Sequence, residues 1–571
     1  MLEFKTIKNH QHTAVRCRPD FQEHYEIIVA GGGTAGVIAA ITAAEHVSVL
    51  CVERVTFLGG MGSGIVMGYY YGDGFESNCR KMDLDIKRES VRSYCGLKKW
   101  NEEIHPDAKK QYYQTRLEQL GGHICYQSMV TGVWMEDCRV VGVRLLSEGK
   151  ERDISCGYVI DATAEGSVCR LAGFPVKIGR EHDGQCQTYS LVSFVENEEE
   201  KLEHVYRDNG FVDTSDCRAV SKAITHGYAH MDEVGAYSQP GKHSMLYLGA
   251  LFGKREGVSC VGEDCLTGED ILLMQPVKQP LFYTSSCYDT HLYDLGFESE
   301  TVQDFVYCGL SHLILTQPVP MGAVIPKGSK GLLAAGLSMD IHHDALASVR
   351  LKRNVMRSGE AVAMTAVISL KEGQEPADCY PAIQQEMMRR GIYKELPELD
   401  SMMKKAGEQT AECMASQNGE ERGCGIYYGA KHWNTKQLLE CLTLPKTALA
   451  AAEALALQGN DAGIKLLLRP GEERYVYLVG KANYTGDYTD WLIGQLDPSR
   501  YSLFCTAFST LVRCAARGDR KAERAVTCLV EDPDFSILLR LNGKKNAEII
   551  ERKECFRHYA RAVLRRKKEC V

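Results

Sequence analysis

The longest apolar tract lies near the N-terminus, where residues 25–30, YEIIVA, lead into a glycine cluster and then the small-residue run TAGVIAAITAA. A continuous apolar run bounded by glycine suits a strand buried on both faces, and the run that follows suits a buried helix. Residues 47–52, VSVLCV, predict a second buried strand. Farther along, residues 119–174 hold three β-rich runs separated by the turn-prone EDCR and SEGK, a pattern that predicts a meander closing on residues 159–163, VIDAT. Beyond about residue 374, after EGQEPADCYP, the pattern changes to helical segments with short breaks, among them TKQLLECLTLPKTALAAAEALALQG. These predict loosely paired helices without a strict repeat period.

At 571 residues the chain exceeds what one hydrophobic core usually organises, and 44% hydrophobic with 25% charged residues is ordinary for a folded protein. Residues 27–44 are about as apolar and as long as a membrane span, but their clustered glycines favour a strand and helix instead. The net charge of -8 gives no overall attraction to nucleic acid or acidic lipid. The first twenty residues carry no apolar core of the kind that directs export, so a cytoplasmic location is expected, with no membrane partner. The 23 cysteines follow no regular spacing and include no Cys-x-x-Cys, which points to free thiols and to no metal centre.

The glycine cluster carries the chemistry. Gly31 permits a tight turn off the strand, Gly33 lets backbone approach a diphosphate, and Gly36 allows helix and strand to pack closely. Thr34 and Ala35 open the helix, whose unpaired N–H groups and dipole face the phosphates. Glu53, with Arg54 beside it, ends the second strand, where a carboxylate accepts hydrogen bonds from both ribose hydroxyls and disfavours a 2′-phosphate. Strand, turn, helix, strand and terminal acid in this order specify a dinucleotide site. They do not choose between NAD and FAD.

A second glycine loop, LGGMGSG, follows and includes Gly60 and Met61. With it the chain resembles the bacterial FAD-dependent oxidoreductases of the glutathione-reductase structural type, distant relatives of the fumarate reductase flavoproteins. The resemblance implies one FAD, with the loop lining its ribityl and flavin region. It also implies adenine against backbone near Val130, and a return of the chain to the dinucleotide at Ala162 and Thr163. The family follows that threonine with Gly-Asp, whereas this chain has Ala164 and Glu165. Residues 332–363 resemble the family's closing flavin motif through Gly336, His343, Ser348 and Val349. Where relatives carry proline and threonine, this chain has Arg353 and Asn354; Asn354 is expected to cap the next helix, with Val355 in its first turn, and that helix to face the flavin.

Catalytic candidates come from similar segments. Residues 288–291 resemble a D-x-H element, in which Asp289 would orient His291 as general acid or base; a hydrogen-bonded structural histidine is the alternative. Arg350 suits a substrate carboxylate or charge on reduced flavin, with an ion pair bracing the loop as the alternative. His343 is divided between a flavin and a substrate contact, His342 is expected at the surface, and Tyr69, Tyr70 and Tyr71 are expected to pack. Residues 249–272 are similar to a further family segment through Arg255, Glu256, Gly262, Leu266, Thr267 and Asp270.

The expected fold is α/β: a Rossmann-type FAD-binding domain with an inserted α+β cap and an all-α C-terminal domain. The boundaries are 1–20 for an N-terminal extension, 21–174 and 321–373 for the two parts of the FAD domain, 175–320 for the substrate or cap domain, and 374–571 for the helices. The expected reaction moves a hydride between flavin N5 and a small organic substrate, with the electron partner open. The alternative is a flavin-dependent RNA-modifying protein that uses its helical end, including the basic RRKKEC terminus. The acidic net charge and the lack of paired cysteines weigh against it.

Overall fold

The computed structural model describes residues 1–64, 78–94, 105–181, 184, 186–196, 202–209, 212, 216–229, 244–248, 251–289, 298–310, 313–394, 402–460 and 462–463, with isolated positions and three short strands beyond. A nine-stranded sheet organises the N-terminal third. Its elements are β1 (Leu2–Lys8), β2 (Gln11–Cys17), β3 (Phe21–Ala30), α1 (Thr34–Ala44), β4 (Val49–Val52), β5 (His123–Cys125), β6 (Met129–Glu136), β7 (Arg139–Ser147) and β8 (Lys150–Asp161). The apolar tract of residues 27–44 thus divides at the glycines into the end of β3 and the whole of α1. Ile27, Ile28 and Val29 are fully buried because the strand is covered on both faces, which is why its sequence does not alternate.

The pivot is β8. Along one edge it runs parallel to β3 from Asp153 to Asp161. Along the other it first pairs antiparallel with β7, Ser147 opposite Lys150, and then parallel with the strand Leu332–Ala334, Val159 opposite Leu332. One long strand therefore belongs to both the expected meander and the parallel layer, and it brings residue 334 back beside residue 161. The meander turns fall at EDCR and SEGK. Glu148 and Gly149 both take positive φ, 52° and 74°, as tight hairpins require.

Two features were absent from the sequence pattern. Residues 1–20 are more than an extension: β1 and β2 form a hairpin, and β1 pairs with β6 to widen the sheet. The C-terminal region is helical through Ala448–Leu457 and again at described positions between 515 and 527, and Val476–Val479, Leu538–Leu541 and Ile549–Glu551 add a small sheet to it. Between the two parts of the nucleotide fold, the inserted segment is α+β, as expected. It includes the antiparallel sheet Tyr189–Glu196, Leu202–Asn209 and Ser244–Leu248, and the hairpin Pro280–Cys287 with Ile314–Pro320.

One apolar core runs from α1 through the inserted hairpin to the C-terminal helices. Phe305 meets Tyr427 edge-on at 5.7 Å, and Lys431 pairs with Asp304 at 2.9 Å. Among the described residues no helix is long and apolar enough to cross a membrane.

Candidate functional site

The three glycines of the first turn differ in what surrounds them. Gly31 has φ 94°, and a Cβ there would lie 2.6 Å from the Ala162 carbonyl oxygen. At Gly36 a Cβ would lie 1.8 Å from the Gly31 oxygen. Both are closed by backbone, so both glycines serve the fold. Gly33 is open: a Cβ there meets nothing within 4 Å. It is also the N-cap of α1 and offers no side chain to the first-turn amides, which leaves them for an anion.

The second loop closes against the first. Gly60, at φ 53°, would bring a Cβ to 2.9 Å from Gly33 Cα, and Thr34 Oγ1 donates to the Gly59 carbonyl at 3.1 Å. Met61 begins the short helical turn Met61–Gly64, and Ala35 packs inward against Gly336 and Gly359 of the closing segment. Arg54 is exposed beside the loop.

Glu53 is 6% exposed and already has work within the protein. Its Oε2 accepts the Gly32 N–H at 2.7 Å and its Oε1 the Val55 N–H at 3.0 Å, so the carboxylate ties the glycine turn to the end of β4. Each oxygen keeps a further acceptor site for a ribose hydroxyl. The Ser128 N–H donates to the Glu53 carbonyl at 3.0 Å, which sets the start of β6 beside it. Val130 lies there, half-buried, at the register shift between Val130 and Gly132.

Asp161, not among the expected site residues, organises the returning strand. Fully buried, its Oδ1 accepts from Thr163 N–H (3.1 Å) and Oγ1 (2.7 Å), and its Oδ2 from the N–H groups of Val168 (2.9 Å) and Cys169 (3.1 Å). Ala162 donates its N–H to the Ala30 carbonyl at 2.8 Å, and the Thr163 hydroxyl also accepts from Glu165 and Ser167 amides. The signal was an acid inside an otherwise apolar strand, which is costly unless fully hydrogen-bonded. Ala164, where the family resemblance leads to the expectation of glycine, holds φ 60°. The left-handed turn survives the substitution and bears the steric cost of a Cβ, so Ala164→Gly is expected to stabilise the fold by about 1 kcal/mol in chemical denaturation. An unchanged or lower midpoint contradicts this account of the turn.

In the closing segment, Gly336 (φ 63°) donates its N–H to Ser358 Oγ at 3.1 Å, and Ser338 Oγ bridges the Ala164 amide (3.1 Å) and Asp161 (3.4 Å). The helix His343–Val349 is capped by His342, whose Nδ1 accepts the Asp344 N–H at 3.3 Å; the residue expected merely at the surface is a cap. The helix Lys352–Glu372 starts two residues before Asn354, with Leu351 at the N-cap. Asn354 is therefore not the cap. It accepts the Ser285 N–H (3.2 Å) and donates to the Ser348 carbonyl (2.8 Å), joining the inserted hairpin to this loop. Val349 and Val355 are buried beside it, and Ser348 Oγ, also buried, has no hydrogen-bond partner among the described residues.

His343 lies between two buried glutamates: Nδ1 is 2.7 Å from Glu256 and Nε2 2.9 Å from Glu298. Glu298 also binds Arg180 at 3.0 Å, and Glu256 accepts the Gln187 N–H at 2.7 Å. Burial alone would lower the imidazole's pKa, but the two carboxylates outweigh it and hold the ring protonated well above its ordinary value of 6.5. With both nitrogens engaged, the ring contacts neither flavin nor substrate through them, contrary to either sequence expectation. Arg350 donates from Nε to Gln187 Oε1 (2.7 Å) and from Nη2 to the Asp289 carbonyl (2.7 Å) and Oδ2 (3.1 Å). Asp289 thus braces Arg350, the alternative weighed for the arginine. His291 and Tyr69, Tyr70 and Tyr71 lie outside the described residues. The family segment through Arg255 serves the architecture: Thr267 and Asp270 form a capping box, and a Cβ at Gly262 would meet the Gly322 oxygen at 2.6 Å.

The residues present fit FAD in two respects. The volume over Gly33 suits a diphosphate against bare helix amides, and the Ser348 hydroxyl is a buried polar atom awaiting a partner.

The family comparison agrees on FAD. The family model described as FAD dependent oxidoreductase matches residues 26–244 and 230–388. The chain is 26% identical over 204 residues to digeranylgeranylglycerophospholipid reductase of Methanosarcina mazei, covering 31% of this chain and 47% of that one, about half the length of this curated relative. A geranylgeranyl bacteriochlorophyll reductase-like protein from Thermoplasma acidophilum aligns at TM-score 0.35 and 13% identity over 78% of this chain and 98% of its own. A p-nitrophenol 4-monooxygenase from Pseudomonas putida aligns at TM-score 0.34 and 10% identity over 76% and 96%.

Proposed function

This chain belongs to the FAD dependent oxidoreductase family and is an FAD-dependent enzyme, and from that premise we propose that it transfers a hydride between flavin N5 and a small organic metabolite. The observation that carries the reading is the open volume at Gly33 between two glycines closed by backbone. FAD, when bound, supplies the hydride chemistry; the chain supplies position and electrostatics.

In this reading the amides of Gly33, Thr34, Ala35 and Gly36 hold the diphosphate and Gly31 makes their turn. Glu53 accepts from ribose, with Arg54 at the rim. Backbone at Val130 meets adenine, and Gly60, Met61, Ala162 and Thr163 line the middle of the dinucleotide. Gly336, Ser348, Val349, Asn354 and Val355 form the flavin end, with His343 supporting it from behind. The nucleotide domain comprises residues 21–174 and 321–373, the cap 175–320 and the C-terminal domain 374–571. We also infer the glutathione-reductase structural type, with the fumarate reductase flavoproteins as distant relatives.

Arg350, fixed by Gln187 and Asp289, presents a preset cation for a substrate carboxylate or for charge on reduced flavin. His291 remains the candidate acid or base; Asp289, its expected partner, is engaged with Arg350. Anaerobic mixing with a panel of metabolites tests the proposal. One class is expected to bleach the flavin, and Arg350→Met to raise KM for it by tenfold or more, about 1.4 kcal/mol of lost binding. Flavin that dithionite reduces but no small metabolite does contradicts the substrate class.

A further inference from the structure

Three negative groups converge on the first glycine turn once a dinucleotide is there. Glu53 accepts the Gly32 N–H inside it, Asp161 is buried on the neighbouring strand opposite Ala30, the residue before it, and a diphosphate brings about two further charges. Helix amides and dipole supply only about half a positive charge. Segments 31–36, 53–64 and 161–165 contain one cation, Arg54, and it is exposed.

A buried cation stands just behind. Lys109, on the helix Pro106–Gln119, is 1% exposed. A Cβ at Gly62 would lie 3.0 Å from Thr34 Oγ1 and 3.5 Å from Lys109 Nζ, so the ammonium and the first residue of α1 border the same point of the second glycine turn. Gly60, two residues earlier, abuts Gly33 itself. The ammonium is therefore one thin layer of glycine backbone from the diphosphate position, in surroundings where charge is weakly screened.

We propose that the Lys109 ammonium is the cation that offsets the FAD diphosphate through the second glycine turn, so that FAD binding and Lys109 protonation are coupled. This rests on the reading that the diphosphate lies at Gly33.

Several described groups lie around Lys109. Asp83, from the helix Asn78–Tyr94, favours its charged form and is shared with Arg353, 3.6 Å away on the helix Lys352–Glu372. The Tyr113 ring lies with its centroid 5.7 Å from Nζ on the same helix, Gly62 and Thr34 come from the turn and α1, and Asp107 and Lys110 pair with each other at the surface. Burial outweighs Asp83 and pulls the lysine down to about 8. A diphosphate nearby raises that value again. Below about pH 8 the free protein is already charged and binding is independent of pH; above it, each bound FAD takes up a proton, and affinity falls as pH rises.

The test is titration of apoprotein with FAD, ADP and riboflavin across about pH 7 to 9.5, for wild type, Lys109→Met and Lys109→Arg. Wild-type Kd for FAD and ADP is expected to rise by up to tenfold per pH unit above about 8. Lys109→Met is expected to weaken both by roughly ten- to a hundredfold at pH 7 and to flatten the profile, with riboflavin, which has no phosphate, unaffected. Calorimetry in buffers of different ionisation heat should show proton uptake in wild type alone. Lys109→Arg should bind without the alkaline decline. A flat wild-type profile overturns the proposal even if Lys109→Met fails to fold, as does a folded Lys109→Met with wild-type affinity for FAD and ADP. Wild-type apoprotein that binds neither overturns the underlying reading and this one with it.

Discussion

Gly33→Val is expected to purify as a folded, colourless protein whose affinity for FAD is at least a hundredfold below wild type. The variant places three carbons in a volume where, chain neighbours aside, no atom of the described residues lies within 4 Å of the first, so no packing contact among them is displaced. A diphosphate approaching the first-turn amides of α1 meets them instead. The contrasting variant is Gly36→Ala, whose Cβ would lie 1.8 Å from the Gly31 carbonyl oxygen. There β3 and α1 must separate, and both pigment and thermal stability are expected to fall. Flavin content and circular dichroism melting of the two variants separate a ligand volume from a packing contact. Gly33→Val with normal flavin, or with a melting point as low as that of Gly36→Ala, contradicts the assignment.

His343→Gln is expected to cost about 3–5 kcal/mol, because it leaves Glu256 and Glu298 buried and facing each other without the intervening imidazolium. The pH dependence follows from the two shifts. His343 is raised well above 6.5, so its stabilisation is complete below that pH and is lost as pH climbs through the folded value. Burial pushes the Glu298 carboxyl up, but His343 and Arg180 prevail and hold it below 4.5; its stabilisation is complete above that pH and fades as pH falls through the folded value. Urea midpoints of wild type should therefore be highest between about 4.5 and 6.5, and His343→Gln should lose the alkaline decline that the histidine causes. A variant as stable as wild type at pH 6, or one that keeps the same alkaline slope, removes the cluster's role. Because Glu256 also binds the Gln187 amide and Gln187 holds Arg350, loss of the histidine should reach Arg350 as well.

What the sequence disclosed here is what local backbone requires. A buried parallel strand, a glycine turn at φ 94° and a small-residue helix leave few alternatives in composition, and the hairpin turns of the meander likewise announce themselves by residue type. The His343 cluster stayed hidden because its partners lie 87 and 45 residues away in sequence, and nothing in the pattern around His343 selects Glu256 or Glu298. Asn354 misled for a related reason: a good capping residue stood near a helix start, but the Ser285 amide of the inserted hairpin claimed its side chain, and the helix began at Lys352 without a side-chain cap. β1 and β2 were missed because neither strand contains a fully buried residue, which leaves only a weak alternation to read. Lys109 gave no sign, since a lysine in a polar helix reads as solvated until the turn Met61–Gly64 is seen to lie over it.

The most direct measurement is the identity and amount of nucleotide released when purified or FAD-reconstituted wild-type protein is denatured and the supernatant chromatographed. An amount of FAD close to one per chain, displaced competitively by ADP from the native protein, is the predicted result. Protein that retains no flavin after incubation with excess FAD, or flavin that ADP fails to displace, would place the dinucleotide somewhere other than the amides at Gly33 and contradict the account.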